Sequence, residues 1–290
     1  MDAGSVMDVA ARASRTAQLK AHVLSLGFDA VGFAAAERLD EEGVHLEDWL
    51  ARGYQGSMQW LARNTDRRID VREILPSARS VIVVARNYYT PHEHSNAADA
   101  AKISRYAWGR DYHKVLPRKL RLIEEHIRAS EPGAETRSYV DTGPVLEKQW
   151  AVRAGIGWMG KHSNVITRDL GSWVFLGVII TSLELDCDNP IADYCGTCTL
   201  CIDACPTGAI VEPYVVDGSS CISYITIEQK PKLEIDAALG EQLKNWVFGC
   251  DICQDVCPWN RFEKPTDESD FAPRPGVALL TLDELASMTD

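Results

Sequence analysis

The sequence predicts a mixed α/β (α+β) sandwich domain followed by a smaller, cysteine-rich domain, and three observations predict it. Strand-like apolar runs alternate with helical periodicity as far as about residue 185. From Asp186 the texture changes, and cysteines, prolines and short elements dominate as far as Pro258. Within that stretch Cys195, Cys198, Cys201 and Cys205-Pro206 follow C-x2-C-x2-C-x3-C-P, the run that wraps cubane clusters in two-cluster ferredoxins. The second domain is therefore expected to be ferredoxin-like and to carry two 4Fe–4S clusters.

In chain order, Ser5 to Leu26 has helical spacing and Gly27 is a plausible stop. Ala30 to Ala34 reads as a short strand. Ser80 to Ala85 (SVIVVA) is continuous and β-branched, as in a strand buried on both faces. Val115 to Ile127 places Leu116, Leu120, Ile123 and Ile127 on one helical stripe. Ser138 to Asp141 reads as a strand end, followed by Thr142-Gly143-Pro144 and a helix from about Val145 to Arg153. Val174 to Thr181 is another buried strand. The expected division is an α/β domain over 1–185, a cluster domain over 186–262 and a C-terminal segment over 263–290. That last segment is Pro- and Asp-rich, then amphipathic (Leu279, Leu280, Leu282, Leu285), the start of a helical region.

An apolar share of 46% in 290 residues can build a real core. The most apolar stretch, Trp173 to Thr181, is about half a membrane span, and the N-terminus has no apolar signal core. A cytoplasmic monomer that makes no membrane contact is expected, and in that reducing compartment nine cysteines point to metal or cluster ligation. The net charge of −12 argues against wholesale coating of nucleic acid, though a local basic segment runs from Lys102 to Arg128 and a second, diluted one holds Arg63, Arg67, Arg68 and Arg72. Taken singly, such charges read as solvated helix faces. There is no P-loop, G-x-S-x-G or H-E-x-x-H, so hydrolase and ATPase readings have no support.

In the ferredoxin run the fourth cysteine crosses to the other cluster, so a second copy is required. Cys250, Cys253 and Cys257-Pro258 match its last three positions, with Val247 where the first cysteine belongs and Cys221 as the replacement. One cluster is then expected on Cys195, Cys198, Cys201 and Cys257, the other on Cys205, Cys221, Cys250 and Cys253. Cys187 is left over as an ordinary buried or loop thiol. Structural zinc also uses C-x2-C pairs, but has no need of three cysteines in seven residues followed by C-P.

Gly155-Ile156-Gly157-Trp158-Met159-Gly160 satisfies G-x-G-x-x-G, yet a helix precedes it and Lys161-His162-Ser163-Asn164 follows, so a nicotinamide site is rejected. Close approach to a flat ligand and a bare structural turn both remain open there. Asp141 stands at a strand end, well placed for a proton donor, though an Asp before Thr-Gly alone reads as a turn former. His92 and His94 lack a third ligand and read as an exposed loop.

Six segments in order resemble the epoxyqueuosine reductase family: GSMQWLARNTDRRIDVREILPSARSVIVVARNYY, ISRYAWGRDYHKVL, YVDTGPVLEKQWAVRAGIGWMGKHSN, CGTCTLCIDACPTGAI, CISYITIE and FGCDICQDVCPWN. The resemblance implies a cobalamin-binding α/β domain with the cofactor base-off between it and the cluster domain. It implies reduction of epoxyqueuosine to queuosine at the wobble position of tRNA, with electrons delivered to cobalt through the clusters from an external flavodoxin- or ferredoxin-like donor. The family's acid falls on Asp141, which replaces the turn reading. By motif match, cofactor contacts fall on Arg105, Tyr106, Asp141, Lys161, His162, Asn164 and Ser223. Members usually continue into a C-terminal helical-repeat region that grips the tRNA. This sequence stops at Asp290, so either it is a shortened form or tRNA contact relies on the basic segments. The alternatives are another corrinoid reductase resembling reductive dehalogenases, which pair cobalamin with the same cluster type, and a non-enzymatic electron carrier.

Overall fold

The computed structural model describes residues 3–230 and 237–288. Its elements are α1 (Ala3–Ser25), β1 (Ala30–Ala35), α2 (Asp40–Ala51), α3 (Thr65–Ile69), β2 (Ser80–Asn87), β3 (Lys102–Ile103), α4 (Tyr112–Ser130), β4 (Thr136–Tyr139), α5 (Glu147–Arg153), β5 (Trp158–Met159), β6 (Val165–Ile166) and β7 (Val174–Thr181). After these come α6 (Leu200–Asp203), β8 (Ile210–Glu212), β9 (Val215–Val216), α7 (Ala237–Leu243), β10 (Trp246–Phe248), α8 (Ile252–Asp255) and α9 (Leu282–Ser287). The helices and strands expected from periodicity are present, with ends moved by a few residues.

The main sheet has the order β1-β2-β7-β4, and every pair in it is antiparallel. Every residue of β2 is buried, which explains its unbroken apolar run. Ile82 and Val84 face a core built with Leu19 and Val23 of α1 and with Leu116, Leu120, Ile123 and Ile127 of α4. Val81 and Val83 face the opposite core, with Leu39, Leu75 and with Trp150 and Ala151 of α5. An antiparallel sheet often wets one face; here helices cover both, so alternation disappears from the sequence.

The C-terminal segment is no appendage to the cluster domain. Phe271 is buried in the α1/α4 core. Arg86, with a side chain only 5% exposed, pairs with Asp29, Asp267 and Glu268. Lys119 adds a 2.7 Å bridge to Glu268. α9 has its Thr281–Glu284 capping box, but none of its described residues is buried.

His94 also departs from the expected exposed loop. Its ring packs between Trp108 and Trp246, and Nε2 lies 2.8 Å from the Ile103 carbonyl oxygen. His92 is exposed as expected. The glycine-rich turn joins α5 to the β5–β6 hairpin, and a Cβ on Gly157 would collide with the Ile166 carbonyl oxygen. Close backbone packing is thus sufficient reason for that glycine.

The two parts of the chain are stitched together by polar contacts. Trp49 Nε1 donates to the Val216 carbonyl (2.7 Å), Tyr224 Oη accepts from Ser57 N (2.6 Å), and β3 pairs in parallel with β10. Ser172, Gln254 and Asn260 form a fully buried network across the same junction.

Candidate active site and cluster loops

β4 and α5 present Asp141. Its backbone is left-handed (φ +58), it directly follows the buried Val140, and its side chain is 65% exposed. Three groups hold it. Its N–H donates to Glu147 Oε1 (2.6 Å), Tyr112 Oη donates to its Oδ2 (2.7 Å), and His113 Nε2 lies 3.7 Å from the same oxygen. Burial pushes the Glu147 carboxyl up to about 8, and the charge of Asp141 adds to the shift. Burial also raises the Tyr112 and Tyr106 phenols well above their usual value, with Asp141 again contributing.

Residues from both parts of the chain approach one another near Asp141. The ring of Tyr106 lies 6.3 Å from that of Tyr112 and 6.1 Å from that of Phe248, which is 38% exposed. Lys148 Nζ donates to the Ser163 carbonyl and to Asn164 Oδ1, both at 2.9 Å. Solvent reaches Lys148, yet so much protein surrounds it that its ammonium pKa is lowered, and the nearby charges include Asp141, Cys253, Cys221 and Glu147. His162 is buried; Nδ1 accepts from Asn164 N at 3.2 Å, while Nε2 has no partner. Burial lowers this imidazole to about 4, so the ring is neutral and Nε2 carries its proton. Ser223 opens the π-turn Tyr224–Glu228 just beyond Cys221, and Glu228 is near enough to act on Tyr106.

Two of the residues matched by motif have other commitments. The Arg105 guanidinium sits over Trp108, Trp173 and Tyr89, binds the Thr90 and His92 carbonyls, and stands 3.8 Å from Asp255. It lines a separate cavity of about 500 Å³ with His94 and Trp246. Lys161 Nζ donates to the Gly196 and Cys198 carbonyls (2.6 and 2.9 Å), so it braces the first cysteine loop. The sequence reading missed Tyr112, Glu147 and Lys148, although all three lie in the quoted segments. Glu147 looks there like an ordinary acid in a first helical turn.

All nine cysteines are free. Burial raises Cys201, and Cys257, Cys195 and Cys198 raise it further. Burial likewise raises Cys257, with Cys195 and Cys198 adding to it. Cys250 is pushed up to about 12 by burial, with Cys221 and Cys205 contributing. Cys253 is raised by burial, Cys250 and Cys221, with Cys201 also in range. Each of these thiols is thus raised by neighbouring thiols, Cys253 by members of both expected sets, and among the described residues no three side chains of His, Cys, Asp or Glu already converge as a metal site. Burial also raises Cys195, opposed by the Lys161 N–H and the Trp158 indole N–H. That indole nitrogen is buried without a conventional partner, which suits a bound sulfur bearing more negative charge. Cys187 is exposed on a loop beside a cavity of about 670 Å³, away from both sets.

The family described as "Epoxyqueuosine reductase QueG, DUF1730" matches residues 68–142, and the "4Fe-4S double cluster binding domain" matches residues 194–260. An epoxyqueuosine reductase of Synechocystis sp. is 52% identical over 252 residues, covering 87% of this chain and 86% of that one. The chain belongs to the epoxyqueuosine reductase family. It is thus an oxidoreductase with a 4Fe–4S double-cluster domain. A solved epoxyqueuosine reductase with an epoxyqueuosine-modified tRNA-Tyr stem loop is 32% identical, with a TM-score of 0.87 over 95% of this chain and 73% of that one. The Bacillus subtilis enzyme, solved with its catalytic aspartate loop swung out of the active site, is 31% identical with a TM-score of 0.86, covering 95% and 73%. A catabolic reductive dehalogenase shares the fold at 18% identity, with a TM-score of 0.50 over 86% of this chain and 32% of that one. Among the described residues no helix is long and apolar enough to cross a membrane.

Proposed function

We propose that this member of the family reduces epoxyqueuosine to queuosine in tRNA, with Asp141 as the proton donor. Two 4Fe–4S clusters, on Cys195, Cys198, Cys201 and Cys257 and on Cys205, Cys221, Cys250 and Cys253, would deliver electrons to a cobalamin beside Asp141. The observation that carries the reading is the placement of Asp141: open to solvent, pinned by Tyr112 and Glu147, with the ring of Tyr106 between those of Tyr112 and of Phe248, two residues before Cys250.

The overall change is epoxide + 2 electrons + 2 protons → alkene + water. Protonated Asp141 can give one proton to the departing oxygen, a general-acid contribution of roughly 10²–10⁴-fold. Tyr112 keeps the carboxyl in line, since its hydroxyl already bonds Oδ2. Bound cobalamin would supply strongly reducing low-valent cobalt. Tyr106, Asn164, Ser223 and His162 would hold it, and the unpartnered Nε2–H of His162 is a donor that an amide oxygen on a corrin rim would satisfy.

For the RNA, Lys114, Arg118 and Arg121 on α4, the helix whose first residue bonds Asp141, and Arg137 on β4 are exposed and form no ion pair among the described residues. They form a phosphate-binding track whose strength should fall with salt.

The test is Asp141→Asn and Asp141→Ala on an epoxyqueuosine stem loop. Both should keep clusters and corrinoid and lose at least about 10²-fold in queuosine formation. Near-normal product would remove Asp141 from the chemistry. Accumulated epoxyqueuosine in tRNA from cells lacking the protein would separate this reading from a dehalogenase or a simple carrier.

A further inference from the structure

The overall change puts both of its protons on one atom. Two C–O bonds of the epoxide break, a C=C bond forms, and the oxygen leaves as water carrying both hydrogens. A carboxylic acid gives one proton and is then a carboxylate. Asp141 therefore has to be reloaded within a turnover, while the substrate is still in place. The Asp141 side chain is 65% exposed, and its open side is the side the substrate takes. The second proton needs another way in.

The neighbours of Asp141 narrow the choice. Tyr112 Oη donates to Oδ2 at 2.7 Å, but burial raises that phenol well above its ordinary range and makes it a poor proton source. Glu147 accepts the main-chain N–H of Asp141, and Lys148 Nζ donates to the Ser163 carbonyl and to Asn164 Oδ1; neither bonds the Asp141 carboxylate. His113 stands between two acids. Its Nε2 is 3.7 Å from Asp141 Oδ2, and its Nδ1 is 3.0 Å from Asp111 Oδ1. An ionised carboxylate only accepts, so Nδ1 carries the hydrogen toward Asp111. Nε2, on the Asp141 side, is then the nitrogen that takes up and releases a proton. A separation of 3.7 Å is longer than a hydrogen bond, and such contacts often close only when substrate is bound.

The first turn of α4 builds this arrangement. Asp111 is the N-cap, and the oxygen that meets the ring also accepts the His113 N–H at 2.9 Å. The Tyr112 ring lies 4.0 Å from the imidazole. The side chains of His113 and Asp111 are 36% and 46% exposed, so an edge of the pair stays in water beside Asp141. The charges around the imidazole are Asp111 and the exposed Lys114 on its own helix and Asp141 from the end of β4, with Glu147 of α5 behind Asp141.

We propose that Asp111 and His113 form a proton relay that reloads Asp141 between the two protonations of the departing oxygen. This rests on the reading of Asp141 as the proton donor. In each reload a solvent acid protonates Nε2 and the ring becomes an imidazolium. The Nε2–H bond then breaks as an O–H bond forms on Asp141, and the ring returns to its Nδ1–H form, held by Asp111. One proton passes from solvent to Asp141, and no electron moves in the relay. His113 acts through Asp141 and touches neither the epoxide nor the cofactor.

The experiment uses the reconstituted full chain with an epoxyqueuosine stem loop and a chemical reductant. His113→Ala should lower queuosine formation by at least roughly tenfold, with stem-loop affinity and the cluster spectrum unchanged. Free imidazole should restore the rate in proportion to its concentration, and substituted imidazoles should restore it in step with their pKa. His113→Gln, which has no titrating nitrogen, should match His113→Ala. Asp111→Asn keeps a good helix cap and should lose less than either. An unmodified rate in either His113 variant overturns the proposal. So does a loss that imidazole fails to restore, which would make His113 a prop for Tyr112 and Asp141. Failure of the parent reading looks different: Asp141→Ala would then keep its activity, whatever the His113 variants do.

Discussion

The Glu147 carboxylate accepts the backbone N–H of Asp141 at 2.6 Å, so one acid fixes the backbone of the other. Asp141 needs this support because its left-handed φ of +58 is a conformation few non-glycine residues hold unaided. In the Bacillus subtilis relative, the catalytic aspartate loop has been seen swung out of the active site.

Glu147→Ala should lower queuosine formation by up to roughly tenfold while both clusters remain, since a hydrogen bond of this kind contributes about 0.5–1.5 kcal/mol to holding the Asp141 backbone. Glu147→Gln keeps an acceptor oxygen and should retain most of the rate. The carboxyl is raised to about 8 by burial, so the folded chain holds a proton that the unfolded chain releases near its ordinary value. Its contribution to stability is complete at low pH and is lost as pH rises through about 8. Melting curves should therefore show Glu147→Gln gaining on the unmodified protein between pH 5 and pH 8.5. A constant difference across that range would mean that Glu147 titrates normally.

Cysteine replacement can test the crossover between the two motifs. Cys257→Ala should remove the cluster held by Cys195, Cys198 and Cys201 and leave the other, so iron content falls from about eight to about four per chain. Cys205→Ala should do the converse. The electron paramagnetic resonance signal that survives should differ between the two variants. Loss of the same signal in both would show that the ligands do not cross.

Lys148, which holds Ser163 and Asn164, is within electrostatic range of Asp141 and of Cys221 and Cys253. Lys148→Met should keep both clusters but make the one on Cys221 and Cys253 harder to reduce. The expected shift is roughly 60 mV, the one-electron equivalent of a tenfold change in equilibrium. A redox titration of the reconstituted protein measures it. A potential unchanged by the substitution would confine Lys148 to holding Ser163 and Asn164 in place.

The strands and helices of the sheet could be read from sequence because burial imposes periodicity. The Leu116, Leu120, Ile123 and Ile127 stripe and the unbroken β2 run are each the record of a covered face. The cysteine sets were legible for a related reason: cluster geometry dictates spacing along the chain, and the missing cysteine at Val247 left Cys221 as its substitute.

Contacts between side chains far apart in sequence left no such periodic trace. Arg105 and Lys161 look like ligand-binding cations in their motifs, but the first is committed to three aromatic rings and the second to the loop at Cys198. His94, set in an apparently polar loop, is packed between two tryptophans. Phe271 lies in a Pro- and Asp-rich stretch without periodicity and yet completes the first core. The sequence by itself determined the main elements and the family, and set the expectation for the cluster ligands, because those follow from local periodicity and fixed spacing. Only the tertiary structure decided which acids and cations face Asp141, since Tyr112, Glu147 and Lys148 acquire their roles from burial and from neighbours brought close by folding.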